Sequence, residues 1–319
     1  MGMKNKGTHT KVGTGELSEA VFAFALIGKT LNIDMWDVLA KYDEQEAHFD
    51  TVSFYGDGKT DEAVAELRAY AQGFKTDTTY KVINNTVRFV NGYTFPSFDT
   101  VTNKGGSKMD KDDITLYLDG ERVQGFSLKW EHMNVYRQQG PSFKAIDSLY
   151  GRFVDMSGAE SAWTEALDTF MSPALRNSKK KGDYSDELRA NTDRMQNEYD
   201  RIIWGEYVSR MSEADKHTIA SALVRLIVGD KHDNMTVVDV SSGTTHDVSV
   251  DDVDGFASTM GALAFRRDDS TGRTRRLILT NDGVDMVTFL FTQSANRAGG
   301  GLGPEWRTPK PQVYVEVTL

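Results

Sequence analysis

Asp112-Asp113-Ile114-Thr115-Leu116-Tyr117-Leu118-Asp119-Gly120-Glu121-Arg122-Val123-Gln124-Gly125-Phe126-Ser127-Leu128-Lys129 reads as one antiparallel hairpin. In its first strand Ile114, Leu116 and Leu118 alternate with Thr115 and Tyr117. In its second, Phe126 and Leu128 alternate with Ser127 and Lys129. Side chains alternate sides of a strand, so a slip of one residue exchanges the two faces. Both apolar rows can serve one core only if Asp113, Thr115, Ser127 and Lys129 share the opposite face. A plain two-residue turn at Asp119-Gly120 sets Asp113 across from Phe126 and breaks that sorting. A three-residue loop over Asp119–Glu121, or a bulge at Gly125, restores it. The pattern therefore predicts that a carboxylate, a hydroxyl and an ammonium meet on one face.

Upstream, Gly15-Glu16-Leu17-Ser18-Glu19 opens onto eight apolar residues, Ala20–Ile27, and then Gly28. Apolar residues on nearly every face predict a buried helix with Gly28 as its C-cap. A second helix is expected over roughly 60–72, ended by Gly73. Tyr80–Ile83 and Thr86–Val90 read as strands joined by an Asn84-Asn85 turn, and Asn103–Lys111 as a mobile Gly- and Lys-rich loop. From about 142 to 229 the pattern is helical, with a capping box expected at Ser157 and Glu160. Beyond 234 it turns to strands at Met235–Val240, Arg276–Thr280, Met286–Thr292 and Val313–Leu319. The order predicts a mixed α+β (α/β) chain in three stretches: 1–150, a helical 151–233, and a β-rich 234–319.

Composition narrows the chemistry. The 319 residues are 39% hydrophobic and 26% charged, as in an ordinary globular protein. No apolar run reaches the roughly 18 residues of a membrane span, and the polar MGMKNKGTHTK start has no signal-peptide core. No membrane partner is expected. There is no cysteine, which excludes disulfides, thiolate metal sites and cysteine nucleophiles and fits a reducing, cytoplasmic setting. The six histidines form no zinc-hydrolase pattern. A net charge of -10 argues against coating nucleic acid by bulk electrostatics, though not against a local phosphate-binding site.

An Asp at the head of one strand and an x-x-Lys strand beside it resembles the PD-(D/E)xK nuclease superfamily. Gly15 followed four positions later by a helical Glu19 strengthens the likeness. The Gly-Glu-x-Ser-Glu and Gly-Phe-Ser-Leu-Lys runs look most like type II restriction endonucleases of the HpaII kind. The resemblance covers roughly residues 13–150. It implies a restriction-endonuclease-like core, a central mixed sheet flanked by helices, in which Asp113 and Glu19 hold Mg²⁺ (or Mn²⁺) and Lys129 orients the attacking water. The chain departs from the pattern in two places. Asp112 stands where a Pro is often found, and Ser127 stands where a second acid is usual. A hydroxyl is a poorer ligand than a carboxylate for Mg²⁺. Glu19 would then supply the second charge, with Glu131 or Glu16 as substitutes.

The implied activity is metal-dependent hydrolysis of double-stranded DNA by a restriction-type homodimer, since two strands need two sites. Expected nucleic-acid contacts are Arg137 and Gln138, able to read base edges, with Arg266, Arg273 and Arg275 from the basic cluster Arg266, Arg267, Arg273, Arg275, Arg276, which Asp268 and Asp269 dilute, and Arg297 before a glycine run. Lys179–Lys181 reads as a solvated loop. The competing readings are a non-enzymatic phage-type structural or interaction protein, and a nuclease acting on RNA or branched DNA.

Overall fold

A computed structural model describes residues 13–40, 59–102, 112–131, 134–138, 142–171, 186–271, 274–293 and 311–319. The expected loop at Asn103–Lys111, the Lys179–Lys181 run, Arg273, Arg297 and the glycine run after it lie outside those residues. The chain is mixed α+β, as its sequence predicts. Its compact units do not follow the three consecutive stretches. One gathers Met1–Met133 with Val228–Ser249, and the other Asn134–Ile227 with Val250–Leu319.

The first unit is built round α1 (Thr14–Leu31). Helices α2 (Met35–Ala40), α3 (Lys59–Ala71) and α4 (Asp77–Gly92) pack against it. This enclosure explains why its apolar residues do not keep to one stripe: every residue from Ala20 to Gly28 is buried. Gly28 is not the C-cap. Asn32 takes that role in the left-handed conformation (φ 53°), and the helix runs past Gly28 to Leu31. The glycine is needed for a close approach, because Ile33 donates to the Gly28 carbonyl at 2.9 Å and a Cβ at Gly28 would stand 2.8 Å from the Ile33 oxygen.

α4 corrects the strands expected at Tyr80–Ile83 and Thr86–Val90. Thr79, Val82, Ile83, Thr86, Phe89 and Val90 are its buried positions, a spacing of three and four that only a helix brings to one side. Thr76 caps it, its hydroxyl accepting from the Thr79 amide at 3.1 Å. The β-branched content suggested strands. Burial of one helical face outweighs that propensity, and Asn84-Asn85 falls within the helix rather than at a turn.

The sheet beneath has the order β1 (Thr100–Thr102), β2 (Ile114–Leu118), β3 (Glu121–Lys129), β5 (Asn234–Asp239), β6 (Thr244–Ser249). β1–β2, β2–β3 and β5–β6 are antiparallel, while β3 and β5 run parallel. A parallel neighbour requires a long connection, and residues 130–233 provide it before the chain returns as β5. Ile114, Leu116, Phe126 and Val238 join the α1 cluster. Phe22 of α1 meets the Phe126 ring with centroids 5.5 Å apart.

The second unit has an entirely antiparallel sheet, β4 (Asn134–Gln138), β10 (Pro311–Thr318), β9 (Val284–Gln293), β8 (Thr274–Asn281) and β7 (Leu263–Thr271) in spatial order. Its helices are α5 (Phe143–Leu149), α6 (Ala159–Phe170), α7 (Asp186–Tyr199) continuing into a π-helical stretch (Asp200–Tyr207), α8 (Lys216–Val228) and α9 (Val253–Ser258). Tyr150 stands edge-on to Phe289 and Phe291 at 5.1 and 5.0 Å, and its hydroxyl donates to the Val208 carbonyl. Ser157 does not open a capping box: Gly158 caps α6 in the left-handed conformation, and the Ser157 hydroxyl bonds Asp155 instead.

Candidate functional site

The β2–β3 hairpin turns through two residues, Asp119 (φ 54°) and Gly120 (φ 81°), as an Asp-Gly turn favours. The register is Leu118 with Glu121 and Tyr117 with Arg122, then Leu116 with Gln124 and Ile114 with Phe126. Val123 is the extra residue. The parity shift required by the apolar rows is therefore present as a bulge, but at Val123, neither at Gly125 nor as a three-residue loop. The bulge brings the Asp113 carboxylate to the Ser127 hydroxyl.

β3 runs beyond the end of β2, and this mismatch makes the site. Asp113 stands just before β2 and closes the ladder with its own amide, which donates to the Phe126 carbonyl at 2.8 Å. The next outward-facing amide of β3, that of Leu128, has no β2 carbonyl opposite it. The Asp113 carboxylate takes that bond instead, Oδ2 accepting from the Leu128 amide at 2.7 Å and from the Ser127 hydroxyl at 3.2 Å. Lys129 Nζ donates to Ser127 Oγ at 2.8 Å and lies 3.9 Å from Asp113 Oδ2. Ser127 thus works as a hinge between the two charges, donating to the acid and accepting from the ammonium. It is buried, while Asp113 and Lys129 keep 29% and 23% of their side-chain surface open. The recess has a mouth.

Burial raises the Asp113 pKa above its ordinary value. The Lys129 charge, the Leu128 amide and the Ser127 hydroxyl oppose that rise, and the neighbouring Asp112 adds to it. A carboxylate in this state gains from any cation brought to its open side.

Asp112 is the group that the sequence undervalued. Its side chain is 3% exposed, and Oδ2 accepts from Arg122 Nε at 2.9 Å and from the Thr115 hydroxyl at 3.3 Å. Arg122 continues to the Asn234 side chain at 2.7 Å and its carbonyl at 2.6 Å, tying β3 to β5. The Asp112 carboxylate occupies the space over Gly125, where any Cβ would collide with it. Gly125 is needed to admit this buried ion pair rather than to form the bulge. Asp followed by Arg ten residues on, with a Gly three beyond, was the available signal.

Glu19 is half-buried on α1, three residues before Phe22, whose ring touches the strand that carries Ser127. Glu16 folds back over Gly13 at the helix start, where a negative charge meets the positive end of the helix dipole. Glu131, at the end of β3, has a left-handed backbone (φ 69°), an exposed side chain and an amide that donates to Asp239 Oδ1. Among the described residues no three acidic or histidine side chains gather as a ready metal cage.

The expected nucleic-acid contacts fall in the second unit. Arg137 and Gln138 lie on β4, opposite Val315 and Tyr314 of β10. Arg266 is paired with Asp285 on the surface at 3.1 Å. Arg275 is paired with Asp200 at 3.1 Å and is 18% exposed, so it secures the start of the π-helical stretch. Arg267, a member of the same basic cluster in sequence, lies over the Trp204 ring at 4.3 Å and donates to the Trp204 carbonyl. Among the described residues no helix is long and apolar enough to cross a membrane. No protein-family model matches the chain, and the comparisons with curated proteins and with solved structures found no match.

Proposed function

We propose that the chain is a metal-dependent endonuclease that hydrolyses phosphodiester bonds of double-stranded DNA, with Asp113, Ser127 and Lys129 at its centre. One observation carries the reading: an acid and an ammonium are held 3.9 Å apart, through one buried hydroxyl, at the open end of a strand ladder. A surface ion pair needs no such recess, and its members would be solvated.

The donor set fits a hard divalent cation that keeps most of its water. Asp113 engages Oδ2 in the hinge, Oδ1 accepts nothing among the described residues, and burial favours a positive neighbour. Mg²⁺ or Mn²⁺ is often held by one or two carboxylates, so Asp113 would hold the ion, with Glu19 as the proposed second ligand. Bound there, such an ion polarises the phosphate and lowers the pKa of a coordinated water. The chain's own part is distinct. Asp113 fixes the negative ligand, Ser127 holds Lys129 in place, and the Lys129 ammonium steadies the attacking hydroxide and the charge growing on the phosphate. Arg137, Gln138, Arg266, Arg273 and Arg297 remain proposed DNA contacts. Arg275 is withdrawn, since its guanidinium already serves Asp200. A cytoplasmic homodimer would present two sites to the two strands.

A second reading, a non-catalytic structural or interaction protein, draws on the missing three-acid cluster among the described residues. Incubation with supercoiled plasmid and Mg²⁺, with and without EDTA, separates the two. Discrete fragments that EDTA abolishes are expected. Intact plasmid under all divalent-ion conditions would sink the nuclease reading, and cleavage confined to RNA or branched DNA would replace its substrate.

A further inference from the structure

A cleft of about 270 Å³ opens at the carboxyl end of the parallel β3–β5 pair. One wall is α4, through Asn85, Arg88, Phe89, Gly92 and Tyr93. The other is the β5–β6 turn, Val240 to Gly243. The α4 residues are spaced by three and four, so they share one helical face. That face is not fully used in packing. Arg88 is exposed and forms no ion pair among the described residues, and a Cβ at Gly92 or Gly243 would meet nothing within 4 Å.

The turn is rigid for a reason internal to it. Asp239 accepts from the Ser241 amide and hydroxyl and from the Ser242 hydroxyl, and its carbonyl receives the Gly243 amide at 2.8 Å. Asn85 Nδ2 reaches the Ser241 carbonyl at 3.3 Å and closes one end of the cleft. An aromatic surface is set among these polar groups. Tyr93 stacks on Phe89 with centroids 5.1 Å apart and is braced against Phe126. The cleft thus offers a free cation, an amide, fixed backbone groups and an aromatic flank within one small volume.

That combination suits a ligand with an anionic part and a flat part. An inorganic anion would leave the aromatic flank unused, and a neutral ring would leave Arg88 unused. The volume lies near the lower end of the ~300 Å³ at which small-molecule pockets begin, which admits one nucleotide and no folded partner. The Val240 amide donates to the Lys129 carbonyl at 2.9 Å, so the cleft wall starts one strand spacing, about 4.8 Å, from the backbone of Lys129, on the face of the sheet that carries Phe126.

We infer that this cleft holds one nucleotide of the bound strand, with Arg88 on its phosphate and the partly exposed Tyr93 ring, backed by Phe89, against its base. The inference rests on the nuclease reading for its substrate, but not for its test. The full chain is titrated calorimetrically in EDTA, where no cleavage occurs, with a single-stranded DNA octanucleotide, a deoxynucleoside 5′-monophosphate and inorganic phosphate. Wild type should bind the octanucleotide most tightly, the mononucleotide less and phosphate least, because stacking and neighbouring phosphates add to the grip. Arg88→Ala and Gly92→Leu, which leaves every contact in place and fills the cleft, should each weaken octanucleotide binding about five-fold or more, and Arg88→Ala should also lower its salt dependence. Circular dichroism checks that both variants fold. Octanucleotide affinity unchanged in both variants, or phosphate bound as tightly as the nucleotide, would overturn the inference. A mononucleotide held as tightly as the octanucleotide would overturn the assignment to a strand. Cleft binding without plasmid cleavage would instead remove the nuclease reading alone.

Discussion

Asp113 is pulled two ways, by a recess that disfavours its charge and by three groups that favour it, and the recess prevails. The sign of the consequence follows from linkage. A folded-state pKa above the unfolded 3.8 means that the group's stabilising contribution is complete below pH 3.8 and is lost as pH rises through the folded value. Asp113→Asn keeps the shape and removes the titration. Without divalent ions, its melting temperature should therefore gain on wild type as pH rises from 3.8 through the folded value, and the gain should disappear in excess Mg²⁺. A difference that is constant with pH would show that burial is not felt by this carboxylate. The adjacent Asp112 obeys other terms, because its charge is met at once by Arg122. Breaking a buried pair leaves one charge uncompensated, at about 3 kcal/mol or more. In urea unfolding Arg122→Met should lose about that much, and the double variant Asp112→Asn, Arg122→Met should recover part of it. No recovery would mean that Arg122 acts mainly through Asn234.

At the level of elements, the hairpin was legible because two apolar rows had to face one core. That constraint fixes parity and is indifferent to where the extra residue lies, which explains why the common face of Ser127 and Lys129 could be foreseen and the bulge position could not. Val123 has no composition signal, whereas Gly125 has one and serves Asp112 instead. α4 was illegible for a related reason: Thr79, Val82, Ile83 and Val90 favour strands locally, and only the helices and sheet around them show which face is buried. Gly28 makes a testable point about α1. Gly→Ala within a helix ordinarily gains about 0.5–1 kcal/mol. Here the new methyl would press on the Ile33 carbonyl, a backbone atom that the left-handed Asn32 holds in place. Gly28→Ala should therefore lose about 1–3 kcal/mol in chemical denaturation, the usual range for overpacking. A gain would show that the α1–α2 corner yields freely.

Across the whole molecule, class and segment types could be read from periodicity, but the grouping of segments could not. β5 and β6 lie more than a hundred residues beyond β3 in sequence, and no local pattern says that Asn234–Asp239 returns to run parallel beside Phe126–Lys129. The same return builds the wall of the nucleotide cleft, so that cleft had no signature in any single stretch. In the second unit the basic cluster looked uniform in sequence, yet Arg275 and Arg267 are drawn to Asp200 and Trp204 while Arg266 stays at the surface. Charge counts do not distinguish a guanidinium that holds the fold from one that is open to a ligand. The proposed cleavage depends on the triangle of Asp113, Ser127 and Lys129, and the decisive measurement is plasmid cleavage in Mg²⁺ by Lys129→Ala beside wild type. Loss of the ammonium should lower the cleavage rate about 100-fold or more, the scale of losing one transition-state donor, with the circular dichroism spectrum unchanged. A folded Lys129→Ala protein that cuts as fast as wild type would contradict the account.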